Sequence, residues 1–417
     1  MAEVISIPAL HYDLDRAALP DVVAPPYDVI DDEQRAELAA RSPYNVVQLD
    51  LPRDPAGGDP YEHAAELLNQ WMTEGVLADD PPRSIWALEQ DYTAPDGRRL
   101  TRRGFLARVR LAEYGEGIRA HERTQPGPKE DRLRLTRATR HNLSPIFSLY
   151  PGNAWPQIEP STSGDPWGEV TDGDGTTHRV WRIDDPAVHD AVAKELAEGE
   201  LLIADGHHRY ETALAYQREI GAGGPQDYVL MALVSLEDPG LTVFATHRLL
   251  RNLSADQQEG VREASNAGFE LEEVSEEQIV PGPDDPPVSF GYMDSHHMKP
   301  WRLRLDEEGE RLLDEILADR SEAYRRLDSA ALEELFLKRG IGLTPEDIAA
   351  KKGLIYTPSA GEAIGKLRSG ECDAAFFLRP TPVEQVRAVA AAGETMPPKS
   401  TYFFPKLLTG LVFNPLI

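Results

Sequence analysis

The chain has 417 residues, too many for one ordinary hydrophobic core, so two domains are expected. Apolar residues make up 41 % and charged residues 27 %, a soluble mixture, and no window approaches the ~20 apolar residues that cross a bilayer. With 71 Asp and Glu against 43 Lys and Arg, the net charge of −28 repels phosphate backbones and anionic membranes, which speaks against nucleic acid as a partner.

In chain order, the opening "MAEVISIPALHYD" lacks a basic stretch followed by an apolar one, so a cytoplasmic location is expected. "APPYDVI" (24–30) reads as a loop in which Tyr27 and Asp28 either line a pocket or cap the next helix. "DDEQRAELAARS" and "YEHAAELLNQWMTEG" have helical spacing, the second stopping at Gly75. "SIWALEQDYTAPDGRRLTRRGFLARVRL" predicts a hairpin about Asp96-Gly97, and "VTDGDGTTHRVWRID" predicts another. "PAVHDAVAKELAEG" predicts a helix with Pro at its start and Gly past its end.

"HERTQPGPKEDR" (121–132) concentrates His121, Glu122, Arg123, Lys129 and Arg132 in a proline-stiffened stretch. Lys129 and Arg132 fall about one helical turn apart, so both can face one anion; the alternative is a solvated helix start whose cations pair with Glu130 and Asp131. Glu122 beside these cations is a candidate general base for a hydroxyl.

"LLIADGHHRYETALAYQREI" (201–220) predicts a buried strand, a turn at Asp205-Gly206 and a helix ending near Gly221. Backbone N–H groups at a helix start lack intrahelical acceptors, so an anion is readily held there. Gly206 lets the backbone approach it, and His207, His208 and Arg209 donate to phosphate oxygens. Asp205 would repel a phosphate unless it holds magnesium or accepts the proton of a hydroxyl substrate. The competing reading is an Asp205 helix cap with surface histidines. Neighbouring histidines point about 100° apart on a helix, which disfavours their sharing one metal.

Farther on, "VPGPDDPP" (280–287) is a loop and "SFGYMDSHHMKPWRLRLD" a strand pair whose histidines read as turn residues. From Asp328 a helix gives way to strand-helix-strand-helix alternation, which predicts an α/β layer. The single cysteine, Cys372, excludes an intrachain disulfide and reads as a buried thiol at a strand start. "MPPKSTYFFPKLLTGLVFNPL" sets Lys399 and Lys406 among aromatics and prolines, an irregular segment expected either to close over a cleft or to dock on the core.

Together, "APPYDVI", "HERTQPGPKEDRL" with "NLSPIFSLY", "ADGHHRYETAL", "FATHRLL" and "MPPKSTYFFPKLLTGLV" resemble, in order, a prokaryotic family known as domain of unknown function 1015. The Asp-Gly-His-His-Arg turn is also similar to that of free serine kinases with the ParB/sulfiredoxin-like fold, where it lies over donor phosphates and an earlier Glu is the base. Asp205 to Arg209 match that turn, and Glu122 matches the base by its place and its neighbour His121. The resemblance implies a mixed α+β and α/β fold: a ParB/sulfiredoxin-like phosphate-binding core at 1–240 with both motifs, and a second α/β part at 241–417 whose final segment closes on the site.

The activity implied is phosphorylation of free L-serine to O-phosphoserine, with pyrophosphate, ATP or ADP as donor and Mg2+ bridging the phosphates. Glu122 and Asp205 would be catalytic, Asp205 also touching the metal. Gly206, His207, His208, Arg209, Lys129, Arg132, Lys399 and Lys406 would hold phosphates, and His121, Arg123 and Tyr27 the substrate. No Gly-x-x-x-x-Gly-Lys-Ser/Thr loop is present, so a Walker site is not expected. A phosphoserine phosphatase and a non-catalytic ParB-like nucleotide-binding regulator are the alternatives. Oligomeric state is not readable from the sequence.

Overall fold

The computed structural model describes residues 2–54, 56–79, 83–94, 97–122 and 126–416, with the backbone alone at 126–128. The chain forms two compact units. The first comprises Met1–Ala120, Gln125–Thr242 and Pro405–Ile417, and the second His121–Thr124 and Val243–Phe404. Mixed α and β structure is found in both. No described helix is long and apolar enough to cross a membrane.

The first unit is built on a nine-stranded sheet among the described residues. Strand Ile85–Thr93 pairs antiparallel with Arg99–Arg110. Their turn closes through the Gly97 N–H donating to the Ala94 carbonyl (2.8 Å); Asp96 lies outside the described residues. Thr177–Ile183 adds beside Ile85–Thr93, and Gly168–Thr171 forms the second hairpin with it, its turn drawn in as the Asp172 carboxylate accepts from the Asp174 and Thr176 N–H groups. On the other side the order runs Tyr228–Ser235, Ile146–Tyr150, Leu201–Asp205 and Ile118–Arg119.

Asp185 caps helix Pro186–Leu196 through the Ala187 N–H, and proline at the first position costs nothing because its missing N–H has no helical acceptor. One sheet face is sealed by Phe105, Val109, Ile146, Ile203, Met231 and Leu233 against Tyr210 and Leu214 of helix His207–Ile220. Each such side chain contributes about 1.5–3 kcal/mol of burial. A second core joins helices Asp32–Arg41, Pro60–Thr73 and Pro126–Thr139 through Leu38, Leu68, Trp71 and Leu135. The cap of Asp32–Arg41 is Asp31, in a reciprocal box with Gln34, so Asp28 does not fill that role.

The second unit holds a six-stranded sheet in the order Phe269–Glu273, Trp301–Leu305, Ser289–Asp294, Ala374–Phe377, His247–Leu250, Leu354–Thr357. Every described neighbouring pair in it is antiparallel, and the expected alternation of helix and strand after Asp328 is present. The strand-helix-strand unit Leu354–Thr357, Ala360–Arg368, Ala374–Phe377 is present, but His247–Leu250 inserts between its two strands and no parallel ladder forms. Leu249, Ile279, Met293, Leu367 and Phe377 make the core, with the Cys372 thiol buried among them and its pKa raised by that burial. Helix Ala255–Gly268 lies against the π-helical segment Leu332–Gly340 with backbones nearly touching: a Cβ on Gly260 would sit 1.9 Å from the Gly340 carbonyl oxygen.

Candidate functional site

Strand Leu201–Asp205 ends at Asp205, and Gly206 turns the chain into helix His207–Ile220 with φ of +94° and ψ of 27°, a left-handed conformation that disfavours any residue with a Cβ. Gly206, which has no side chain to cap with, occupies the cap position, and Asp205 stands one residue before it. A helix N-terminus, with its outward-facing N–H groups and the positive end of its dipole, is a place where anions are commonly received. Asp205 Oδ1 accepts from the Gly206 N–H (2.9 Å), and Oδ2 accepts from Lys406 Nζ (3.1 Å).

Arg209 folds back beneath the turn, close enough that a Cβ on Gly206 would lie 2.9 Å from its Nε. Its Nη1 donates to Ser144 Oγ (2.6 Å) and to the Pro145 carbonyl, and Ser144 Oγ also accepts from Thr409 Oγ1 (3.1 Å). Three separate motifs, "ADGHHR", "NLSP" and "PKLLTG", thus meet at one turn of the first unit. His207 is buried and His208 half-buried on the first turn of the helix. No group of three or more metal-ligating side chains occurs among the described residues.

Lys129 and Arg132 do not face one anion. Lys129 Nζ pairs with Glu211 Oε2 (2.8 Å) on helix His207–Ile220. Arg132 is buried, donating to Asp50 Oδ1 (2.9 Å), the Asp50 carbonyl (2.7 Å) and Asp131 Oδ2 (2.7 Å), with its guanidinium 4.3 Å above the Tyr27 ring. Burial raises the Asp50 pKa, and the charges of Arg132 and Arg209 oppose that rise. Tyr27 is pushed up to about 12, chiefly by burial.

The remaining candidates belong to the second unit. The His121 carbonyl accepts from the Met396 N–H (2.6 Å), Glu122 bridges to Met396, and the His121 Nε2 shares a hydrogen bond with Thr401 Oγ1 (2.8 Å). The His121 ring stands edge-on to Phe403 at 5.9 Å. Arg248 Nη2 donates to the Lys399 carbonyl (3.0 Å), Nη1 to the Thr246 carbonyl, and the guanidinium lies 5.5 Å from the Tyr356 ring. Burial lowers the Arg248 pKa, opposed by the electrostatic pull of Tyr356, Glu333 and Glu122. Arg123 lies outside the described residues.

A model of the family described as "Protein of unknown function (DUF1015)" matches residues 4–330. The chain belongs to this family. No curated protein matches it. Solved structures similar to this DUF1015 chain include a conserved hypothetical protein from Pyrococcus furiosus, at 17% identity and a TM-score of 0.36, covering 72% of this chain and 97% of that one. A free serine kinase in complex with AMP aligns at 16% identity and 0.36, over 71% of this chain and 89% of its own. SbnI with a C-terminal truncation, from Staphylococcus aureus, aligns at 12% identity and 0.37, over 73% and 85%.

Two residues of the DUF1015 chain that sequence reasoning passed over stand next to named candidates: Ser144 under Arg209, and Arg248 beside the Lys399 backbone. Arg248 carried a readable signal, a lone cation in the apolar run "FATHRLL". Ser144 carried none, since its partner is 65 positions away.

Proposed function

We propose that this DUF1015 protein is a phosphotransferase acting on the hydroxyl of free L-serine, with pyrophosphate or a nucleotide as donor. The observation that carries the reading is the left-handed Gly206 turn that opens helix His207–Ile220, flanked by the Arg209 guanidinium and the Asp205–Lys406 pair. Phosphoryl transfer asks mainly for positioning and charge neutralisation, and that turn supplies backbone donors with two fixed cations. In this reading the first-turn N–H groups, Arg209 and Lys406 hold phosphate, with His207, His208, Lys129 and Lys399 as further candidates. His121, Arg123 and Tyr27 remain proposed for the substrate.

Asp205 fits magnesium only as a single carboxylate, since Mg2+ is commonly held by one or two carboxylates together with the donor's phosphates. When bound, the ion would neutralise phosphate charge. Glu122 is proposed as the base for the serine hydroxyl, and the ParB/sulfiredoxin-like description of the core belongs to the same proposal.

The test is a coupled assay for phosphoserine with L-serine and magnesium, run in parallel with pyrophosphate, ATP and ADP. Product with one donor, abolished in Asp205→Ala, is expected. Glu122→Gln should lower turnover far more than donor affinity, and an equal loss of both would remove it from the base role. Phosphate release from phosphoserine without any donor would replace the kinase reading with a phosphatase.

A further inference from the structure

Three strands of the first unit place His178, Gln90 and Arg102 side by side, His178 opposite Gln90 and Gln90 opposite Arg102 in the ladder registers. A row of three polar side chains in a sheet interior is expensive unless every group is paired. All three are buried to 1% exposure or less.

Their hydrogen bonds have a single consistent direction. The Asp172 carboxylate only accepts, so the His178 Nε2 that meets its Oδ2 at 2.8 Å carries the ring proton. His178 Nδ1 is then bare and accepts one Gln90 amide N–H at 3.1 Å. The other Gln90 amide N–H donates to the Lys406 carbonyl at 3.1 Å. Gln90 Oε1 accepts from Arg102 Nε at 2.9 Å and Nη2 at 2.5 Å, and Nη2 also donates to the Pro405 carbonyl at 2.6 Å. Turning the Gln90 amide over would set its NH2 against two Arg102 N–H groups. The backbone gripped at 405 and 406 carries the Lys406 ammonium that meets Asp205.

We propose that Gln90 is a positioning residue, its amide oriented by His178 and Arg102 so that it holds the Lys406 backbone where the ammonium reaches Asp205. This rests on the reading of Asp205 and Lys406 as part of a phosphate site. Gln90 acts through Lys406 and touches no reactant.

The deciding variant is Gln90→Glu, which has the same shape, keeps both acceptor contacts to Arg102 and removes the two N–H donors. A merely structural Gln90 predicts a lowered thermal midpoint, because the His178 Nδ1 and the Lys406 carbonyl lose their buried donors, with the pyrophosphate affinity of the folded protein unchanged. A positioning Gln90 predicts that the folded variant binds pyrophosphate, read by calorimetry, about 10-fold more weakly, the worth of one charge-assisted hydrogen bond. The His178 Nδ1 should also gain a proton, visible in the ring 15N shifts. A folded Gln90→Glu protein with wild-type pyrophosphate affinity overturns the proposal.

Two readouts keep it decidable otherwise. In the unsubstituted protein His178 must be the Nε2–H tautomer; the opposite tautomer overturns the proposal even if Gln90→Glu does not fold. If pyrophosphate binds but serine is never phosphorylated, the kinase reading falls while the affinity comparison still judges Gln90. If pyrophosphate does not bind at all, the Lys406 ammonium 15N shift decides: a change in Gln90→Glu supports positioning, and identical shifts overturn it.

Discussion

Arg132 shows how far a single residue can be read from its neighbours. The spacing to Lys129 is real, since both lie on helix Pro126–Thr139, yet the guanidinium is spent on Asp50, about 80 positions away and invisible to any local pattern. Both side chains of this pair are 6% exposed, so removing one strands the other's charge in the interior. Arg132→Ala should cost roughly 3–5 kcal/mol of stability, read by urea unfolding. Loss of pyrophosphate affinity with unchanged stability would instead return Arg132 to the phosphate site. Gly206 was readable for the opposite reason: a glycine between a strand signal and a helix signal needs only local geometry to be interpreted, and the structure gives it the left-handed φ that glycine serves.

Hairpins and helices were legible wherever the signal lay within a dozen residues, as in the helix Pro186–Leu196 with its proline start or the strand pair Ser289–Asp294 and Trp301–Leu305. Strand order was not. Nothing local in "THRLL" announces that His247–Leu250 enters between Leu354–Thr357 and Ala374–Phe377. The central place of this strand has a consequence for acid stability. His247 is buried, its Nδ1 accepts the Leu378 N–H at 3.2 Å, and burial together with Arg248 lowers its pKa to about 4. The unfolded chain takes up this proton below about 6.5, while the fold refuses it until about 4. The stabilisation is fully present above 6.5 and is lost as pH falls through that window. Between pH 7 and pH 5 it should amount to about 2 kcal/mol in denaturant unfolding, and His247→Asn should remove that part of the slope.

For the whole molecule, the charge of −28 implies self-repulsion that screening relieves. The Debye length shrinks from about 30 Å at 0.01 M to about 8 Å at 0.15 M salt, so the thermal midpoint should rise across that range; a fall would mean that favourable ion pairs outweigh the net charge. The sequence motifs divide between the units: "ADGHHR", "NLSP" and "PKLLTG" in the first, "HE", "THRLL" and "PPKST" in the second. Composition showed that the chain needed more than one core, but which motif belonged with which depended on contacts hundreds of residues apart. The segment 405–417 belongs to the first unit although residues 243–404 precede it. At about 5–20 residues per second a ribosome spends roughly 10–30 s making that intervening stretch. Throughout that interval the His178–Gln90–Arg102 row lacks the carbonyls of Pro405 and Lys406, and Asp205 lacks its ammonium. In the nascent protein the turn at Asp205 therefore waits for its C-terminal partners, and the phosphate site proposed there would be completed only when translation has passed the second unit.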